Sequence, residues 1–269
     1  MKKVAIVGFA DTYDQAPFED PSIMIYGLNE LHKYLPRWDW WLEIHDKETL
    51  GLTKREGFSS EEVERHRQWL QSQTPDKGTI WMREDVVSDA FPASKAYPLA
   101  RVQRVFGRLL GREQWTYFTS SISYMVAHVL TLGRDDDLRV IDENEAVGWI
   151  GLYGVDLAGD DEYVAQRPCA ECFIGMALGL GIKLDIAKGA GILSGSHMYG
   201  YERAPKQQGP INVNILASRE RRLTKTLRDL QRQAKVVEGA LGETKNYRTL
   251  LNGSDRGMHV PPAGFLDDE

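Results

Sequence analysis

Short apolar runs that stop abruptly at glycine, asparagine, histidine or aspartate recur through the first 190 residues. They are "KKVAIVG" (2–8), "SIMIYGLN" (22–29), "WWLEIH" (40–45), "GTIWM" (78–82), "VGWIGLYGVD" (147–156) and "IKLDIA" (182–187). Each is too short for a buried helix and rich in β-branched and aromatic residues, so each reads as a buried strand. Between them lie segments with helical spacing: 59–72, opened by a serine cap and acids, 97–110, 118–133, opened by capping hydroxyls, and 168–181. Strands that alternate with helices in this way need a mostly parallel sheet with helices on both faces. The expected fold is therefore α/β and Rossmann-like.

The C-terminal part follows a different pattern. Leu223, Leu227, Leu230, Ala234, Val237 and Leu241 alternate spacings of four and three, a heptad seam lasting fewer than three heptads. This segment is basic: 216–248 holds nine Lys/Arg against four Asp/Glu, in a chain whose net charge is −6. Two expectations follow, a helix packed on its own domain or on a second copy, and a basic arm that meets nucleic acid. The expected organisation is a nucleotide-binding domain over 1–205, a helical, short coiled-coil-like extension over 206–250 and a mobile tail over 251–269.

With 42% hydrophobic and 27% charged residues the chain can bury a substantial core. No apolar run approaches the roughly 20 residues of a membrane span, and the N-terminus reads as a first strand rather than a signal peptide. A cytoplasmic protein with no membrane partner is expected. The acidic stretch 133–146 reads as a solvated loop rather than a metal site. Cys169 and Cys172 form a lone C-x-x-C without a second ligand pair for zinc. They read as small, half-buried residues on one face of a helix, with a redox dithiol as the alternative. No metal is expected.

In open α/β sheets, ligands bind at the C-terminal ends of the strands, near the point where strand order reverses. The residues that follow the expected strands are polar and diverse. Gly8, Phe9, Ala10, Asp11 and Thr12 follow the first, Asn29 and Glu30 the second, His45 and Asp46 the third, and Asp156 with Tyr163 the long strand. Thr119, Ser120 and Ser121 open a helix, where backbone N–H groups and the helix dipole favour an anion. The first loop has one glycine and lacks G-x-G-x-x-G. Glu30, 22 residues past Gly8, stands where a ribose-binding acid would stand and keeps a nicotinamide enzyme as an alternative. A mononucleotide or a nucleotide-activated donor, such as a nucleotide sugar, fits this set of groups better.

"YFTSSISYMVAHVLTLG" (117–133) followed by "VGWIGLYGVDLAGDDEY" (147–163) resembles a segment of bacterial lipooligosaccharide sialyltransferases. In that family a T-S-G-type helix opening precedes a strand ending in G-[IV]-D. "VAIVGFADT" and "YGLN" are similar to its nucleotide-contacting first loop and following asparagine. Related folds occur in a pterin-pyrophosphokinase-like group. Residues 1–200 also resemble a family of tailed-phage proteins, through "YGLNELHKYLPRWD", "YFTSSISYM" and "YGVD", which would place the protein in a host cytoplasm.

The sialyltransferase resemblance implies that Gly8, Asn29, Ser120 and Ser121 line a nucleotide pocket with Asp156 at its floor. It implies that Tyr163 meets the donor phosphate, with no metal cofactor required. The family's general-base histidine lies between the G-[IV]-D strand and the last strand, and residues 157–182 hold no histidine. His45 or Asp46 is then the expected base. The functional expectation is a group transferase, glycosyltransferase-like, with a nucleotide-activated donor. The alternative is a non-catalytic binder of a nucleotide or nucleotide-derived signal, and the basic helix is expected to make a homo-oligomer.

Overall fold

Seven strands form one sheet: β1 (Lys2–Val7), β2 (Ile23–Leu28), β3 (Trp40–Glu43), β4 (Thr79–Met82), β5 (Ser94–Ala96), β6 (Val147–Tyr153) and β7 (Lys183–Ile186). Four helices accompany them: α1 (Glu61–Ser72), α2 (Leu99–Leu109), α3 (Ser121–Thr131) and α4 (Asp161–Gly179). The computed structural model describes residues 1–53, 61–157, 161–195 (side chains from 165 onward) and 198–202, and a set of positions between 220 and 245.

All strand pairs are parallel, in the order β5-β4-β3-β2-β1-β6-β7. The chain is thus a Rossmann-like α/β fold whose strand order reverses between β1 and β6. Strand β1 lies at the reversal, and Val4, Ala5, Ile6 and Val7 are fully buried. A strand covered on both faces must be apolar throughout, as "VAIV" is.

Strand β3 shows which helix covers which face, because successive side chains on a strand point to opposite sides. Trp41 meets Trp69 of α1 at 4.9 Å between ring centroids, whereas Trp40 meets His128 of α3 at 5.5 Å. Helices α1 and α3 therefore lie on opposite faces. Helix α4 joins α3, with Phe118, just before α3, stacked on Phe173 at 5.4 Å.

The strands and helices expected from the sequence are present, with three corrections. Strand β5 was not expected: "SKA" is three residues without an apolar run, and its pairing to β4 defines it. Two 3₁₀ segments, Asp11–Gln15 and Asn29–Lys33, follow β1 and β2 where loops were expected. Helix α4 begins at Asp161, not Pro168, and Pro168 lies inside it. A proline, lacking one N–H, is favoured at a helix start, but the polar segment before Pro168 is already helical.

Loop 133–146 packs on α2 through ion pairs of Arg104 with Asp136 and Arg108 with Asp137. Cys169 is buried and Cys172 half-buried, both on α4. The Cys169 thiol donates to the Tyr117 carbonyl at 3.1 Å, and burial raises the Cys172 thiol pKa.

The chain divides into two compact units, Met1–Gln207 and Gln208–Glu269. In the second, the described positions between 220 and 245 are helical. Leu223, Leu227, Leu230, Val237 and Leu241 of the heptad seam are exposed. The serine cap expected at 59 and the tail expected at 251–269 lie outside the described residues. Among the described residues, no helix is long and apolar enough to cross a membrane.

Candidate functional site

The reversal between β1 and β6 places two glycines back to back. A Cβ at Gly8 would lie 2.5 Å from the Gly154 carbonyl oxygen, and one at Gly154 would lie 2.2 Å from that of Gly8. Gly154 also has a φ of +65°, so glycine is required there twice over. The loops are tied across this contact: the Ala10 N–H donates to the Gly154 carbonyl at 2.9 Å, and the Gly154 N–H donates to Thr12 Oγ1 at 3.1 Å. Asp156 accepts from the Gly191 N–H through Oδ1, which anchors the loop after β7.

The start of α3 reaches the same edge of the sheet. Thr119 Oγ1 donates to the Ala165 carbonyl at 2.9 Å, near the beginning of α4, which follows β6. Ser120 is the N-cap, its Oγ accepting from the Ser123 N–H at 3.2 Å, and Ser121 is the first helical residue. Tyr163 lies in the first turn of α4, and its side chain is outside the described residues.

At the end of β2, Asn29 adopts a φ of +49°, and its carbonyl accepts from Trp41 Nε1 at 3.0 Å. Its Oδ1 is buried without a hydrogen-bond partner among the described residues, a property shared with Trp81 Nε1 and Arg134 Nε. Glu30 is paired with Lys33.

The densest polar chemistry is at the end of β3. Glu43, the last residue of the strand, is fully buried on the α1 face. His45 Nδ1 lies 2.6 Å from Glu43 Oε1, which also accepts the His45 backbone N–H at 3.1 Å. On the other oxygen, His66 Nε2 of α1 lies 2.7 Å from Oε2. His66 Nδ1 is in turn 3.1 Å from His32 Nε2. Burial alone would raise the Glu43 pKa, but hydrogen bonds and charge from His45 and His66 outweigh it and hold the carboxyl at about 2. The Glu43 hydrogen bond raises the His45 pKa, and the His45 side chain is 43% exposed. Here a buried carboxylate orients a solvent-facing imidazole, the geometry of a general base and its orienting partner.

Asp46 is differently placed. Its Oδ1 accepts from the Thr49 N–H at 2.8 Å, and this bond lowers its pKa. That makes it a turn former and a poor base beside His45. The set Glu43, His66 and His32 was missed in the sequence. Glu43 hides inside the apolar run "WWLEIH", and a buried acid two residues before a histidine was the available signal. His66 and His32 carry no sequence signal linking them to β3.

The expected site residues therefore share one sheet edge. The ends of β3, β2, β1 and β6 are neighbours, spanning about 15 Å at the usual strand spacing. They do not share one side of it: His45 lies toward α1, whereas 119–121 belongs to the opposite face. Thr12, Thr119, Ser120 and Asp156 each hold an internal bond. Among the described residues, no group of three or more His, Cys, Asp or Glu side chains is arranged to hold a metal ion.

No family model matches this chain, and neither does any curated protein or solved structure.

Proposed function

We propose that the protein is a group transferase, glycosyltransferase-like, that uses a nucleotide-activated donor, with His45 as general base. The observation that carries this reading is the 2.6 Å contact between the buried Glu43 carboxylate and Nδ1 of the half-exposed His45. His45 Nε2 takes the proton of an acceptor hydroxyl, and the acceptor oxygen forms a bond to the donor carbon. The bond from that carbon to the donor phosphate breaks, and its electron pair leaves with the nucleotide. The N–H groups opening α3 at Ser121 and the Tyr163 phenol would stabilise the departing phosphate.

The nucleotide lies along the Gly8, Ala10 and Thr12 loop, with Glu30 and Asp156 flanking it. The buried, unpartnered Oδ1 of Asn29 supports this, because buried acceptors ordinarily meet a donor, which a base or ribose would supply. The resemblance to tailed-phage proteins points to a nucleic-acid base or a surface glycan as acceptor. The basic seam between 220 and 245 would bind a second copy or a polyanion.

A second reading, a non-catalytic nucleotide binder, rests on the absence of histidine between 157 and 182. The two are separated by a thermal-shift screen with nucleotides and nucleotide sugars, followed by donor turnover. A bound nucleotide should raise Tm. His45→Asn should keep that rise and lose about 100-fold or more of turnover, the range for a general base. A rise without turnover in the wild type would select the binder, and no rise with any nucleotide would overturn both.

A further inference from the structure

The heptad seam between 220 and 245 is uncovered. Leu223, Leu227, Leu230, Val237 and Leu241 are each at least 51% exposed, on a segment whose described positions are helical. Among those positions, Val236 is the one large apolar side chain off the seam. The width of the seam decides what can cover it. A helix packed on a globular surface carries a broad apolar stripe, whereas a stripe of alternating fours and threes matches a second helix of the same kind. Thr224 and Gln231, directly beside the seam, are uncharged, and Arg228, Arg232 and Lys235 recur at four and three residues on the opposite face. Two copies can therefore close their seams without bringing these cations together. A polyanion would meet the basic face and leave the seam in water. Gly239 and Gly242 each cost a lone helix about 1 kcal/mol, so the segment is marginal without a partner.

We infer that the seam pairs with that of a second copy of this chain, antiparallel and centred near residue 232. Antiparallel helices set Leu223 against Leu241, Leu227 against Val237 and Leu230 against Ala234, so every layer holds a leucine. A parallel pair sets Ala234 on Ala234 and Val237 on Val237, two successive layers that are underfilled. Charge favours the same arrangement. Antiparallel helices bring Arg228 of one copy within about 3 Å, along the axis, of the level of Glu238 of the other, on the same flank, and this happens twice in the pair. Opposed helix dipoles add to it, whereas parallel helices stack like charge on like.

Sedimentation equilibrium of the full chain tests the pairing. The wild type should sediment at twice the chain mass, and Leu227→Asp with Leu230→Asp at the chain mass. All seven tryptophans precede residue 150, so their fluorescence shows whether the sheet domain stays folded in that variant. Direction is read from the distance between nitroxides placed at Glu243→Cys in a Cys172→Ser background, Cys169 being buried. Antiparallel helices hold the two labels about 33 Å apart along the axis, and parallel helices hold them side by side, on axes about 10 Å apart. A monomeric wild type would overturn the pairing. So would a dimer that survives the double aspartate variant with its tryptophan signal intact, or one that forms only when duplex DNA is added. Labels side by side would overturn the antiparallel arrangement. Should the aspartate variant fail to fold, the wild-type mass and the label distance still decide. Failure here leaves the transferase reading standing, and absence of turnover leaves the pairing standing.

Discussion

The two faces of β3 carry the same residue types to opposite ends. Toward α3, Trp40 packs with Tyr26 and Trp81 around His128, and Tyr97 completes an aromatic box. Burial, with the charge of Arg101 second, lowers the His128 pKa to about 3. Toward α1, Trp41 stands beside Glu43, and the imidazoles there meet a carboxylate. A buried histidine among aromatic rings is driven neutral and serves packing; a histidine beside a buried carboxylate is held ready to take a proton. Burial by itself does not mark chemistry. What separates the faces is one acid, Glu43.

The largest effect expected from breaking that difference is on Glu43. Glu43→Ala leaves the His45 and His66 N–H groups without their acceptor and opens a buried hole. It should cost about 3–5 kcal/mol, the range for removing one partner of a buried ion pair. Urea unfolding at pH 7 measures it. A loss below about 1 kcal/mol would mean that the carboxylate is not held by both imidazoles.

The alternation of strands and helices was legible because apolar run length and stop residues are local properties. Strand β5 was not, since "SKA" is a strand only through the neighbour it pairs with. The same limit governs the site. Gly8, Asn29, His45 and Asp156 follow strands and could be read from the chain. His66 sits 23 residues from Glu43, and His32 is 34 residues from His66. Only the packing of α1 and the 3₁₀ segment onto β3 joins them. The internal bonds of Thr12 and Asp156 were likewise invisible, because their partners Gly154 and Gly191 lie in distant loops.

The next effect is on pH dependence, and its sign follows from His128. Unfolded, this histidine binds a proton near pH 6.5; folded, only near pH 3. Between those values the unfolded chain holds the extra proton, so stability falls as pH drops, by about 1.4 kcal/mol per unit. His32 adds a fall in the same direction from 6.5 to about 4, and Glu43 another from 4.5 to about 2. His45 acts oppositely: its contribution is complete below 6.5 and is lost as pH rises through its raised folded value. His128→Phe fits the aromatic box and cannot titrate. Between pH 6 and 4.5 its stability should fall less steeply than the wild type, by one proton. Parallel slopes in urea unfolding at several pH values would show that His128 is already protonated in its box.

The smallest effect sharpens what holds that box together. The Tyr26 hydroxyl lies 3.3 Å from His128 Nδ1, a long hydrogen bond between buried groups. Tyr26→Phe removes this bond, whichever of the two groups donates, and keeps the ring. A loss of about 1 kcal/mol is expected, the usual net worth of one hydrogen bond. Tyr26 also packs edge-on to Trp40 at 5.6 Å, and phenylalanine preserves that contact. The double variant with His128→Phe separates the two contributions, because without the imidazole the hydroxyl has lost that partner. If the hydrogen bond matters, Tyr26→Phe should cost nothing further in that background, giving a coupling of about 1 kcal/mol. Zero coupling would mean that ring packing alone positions His128, and that its tautomer is not set by Tyr26 in the way that His45 is set by Glu43 on the other face.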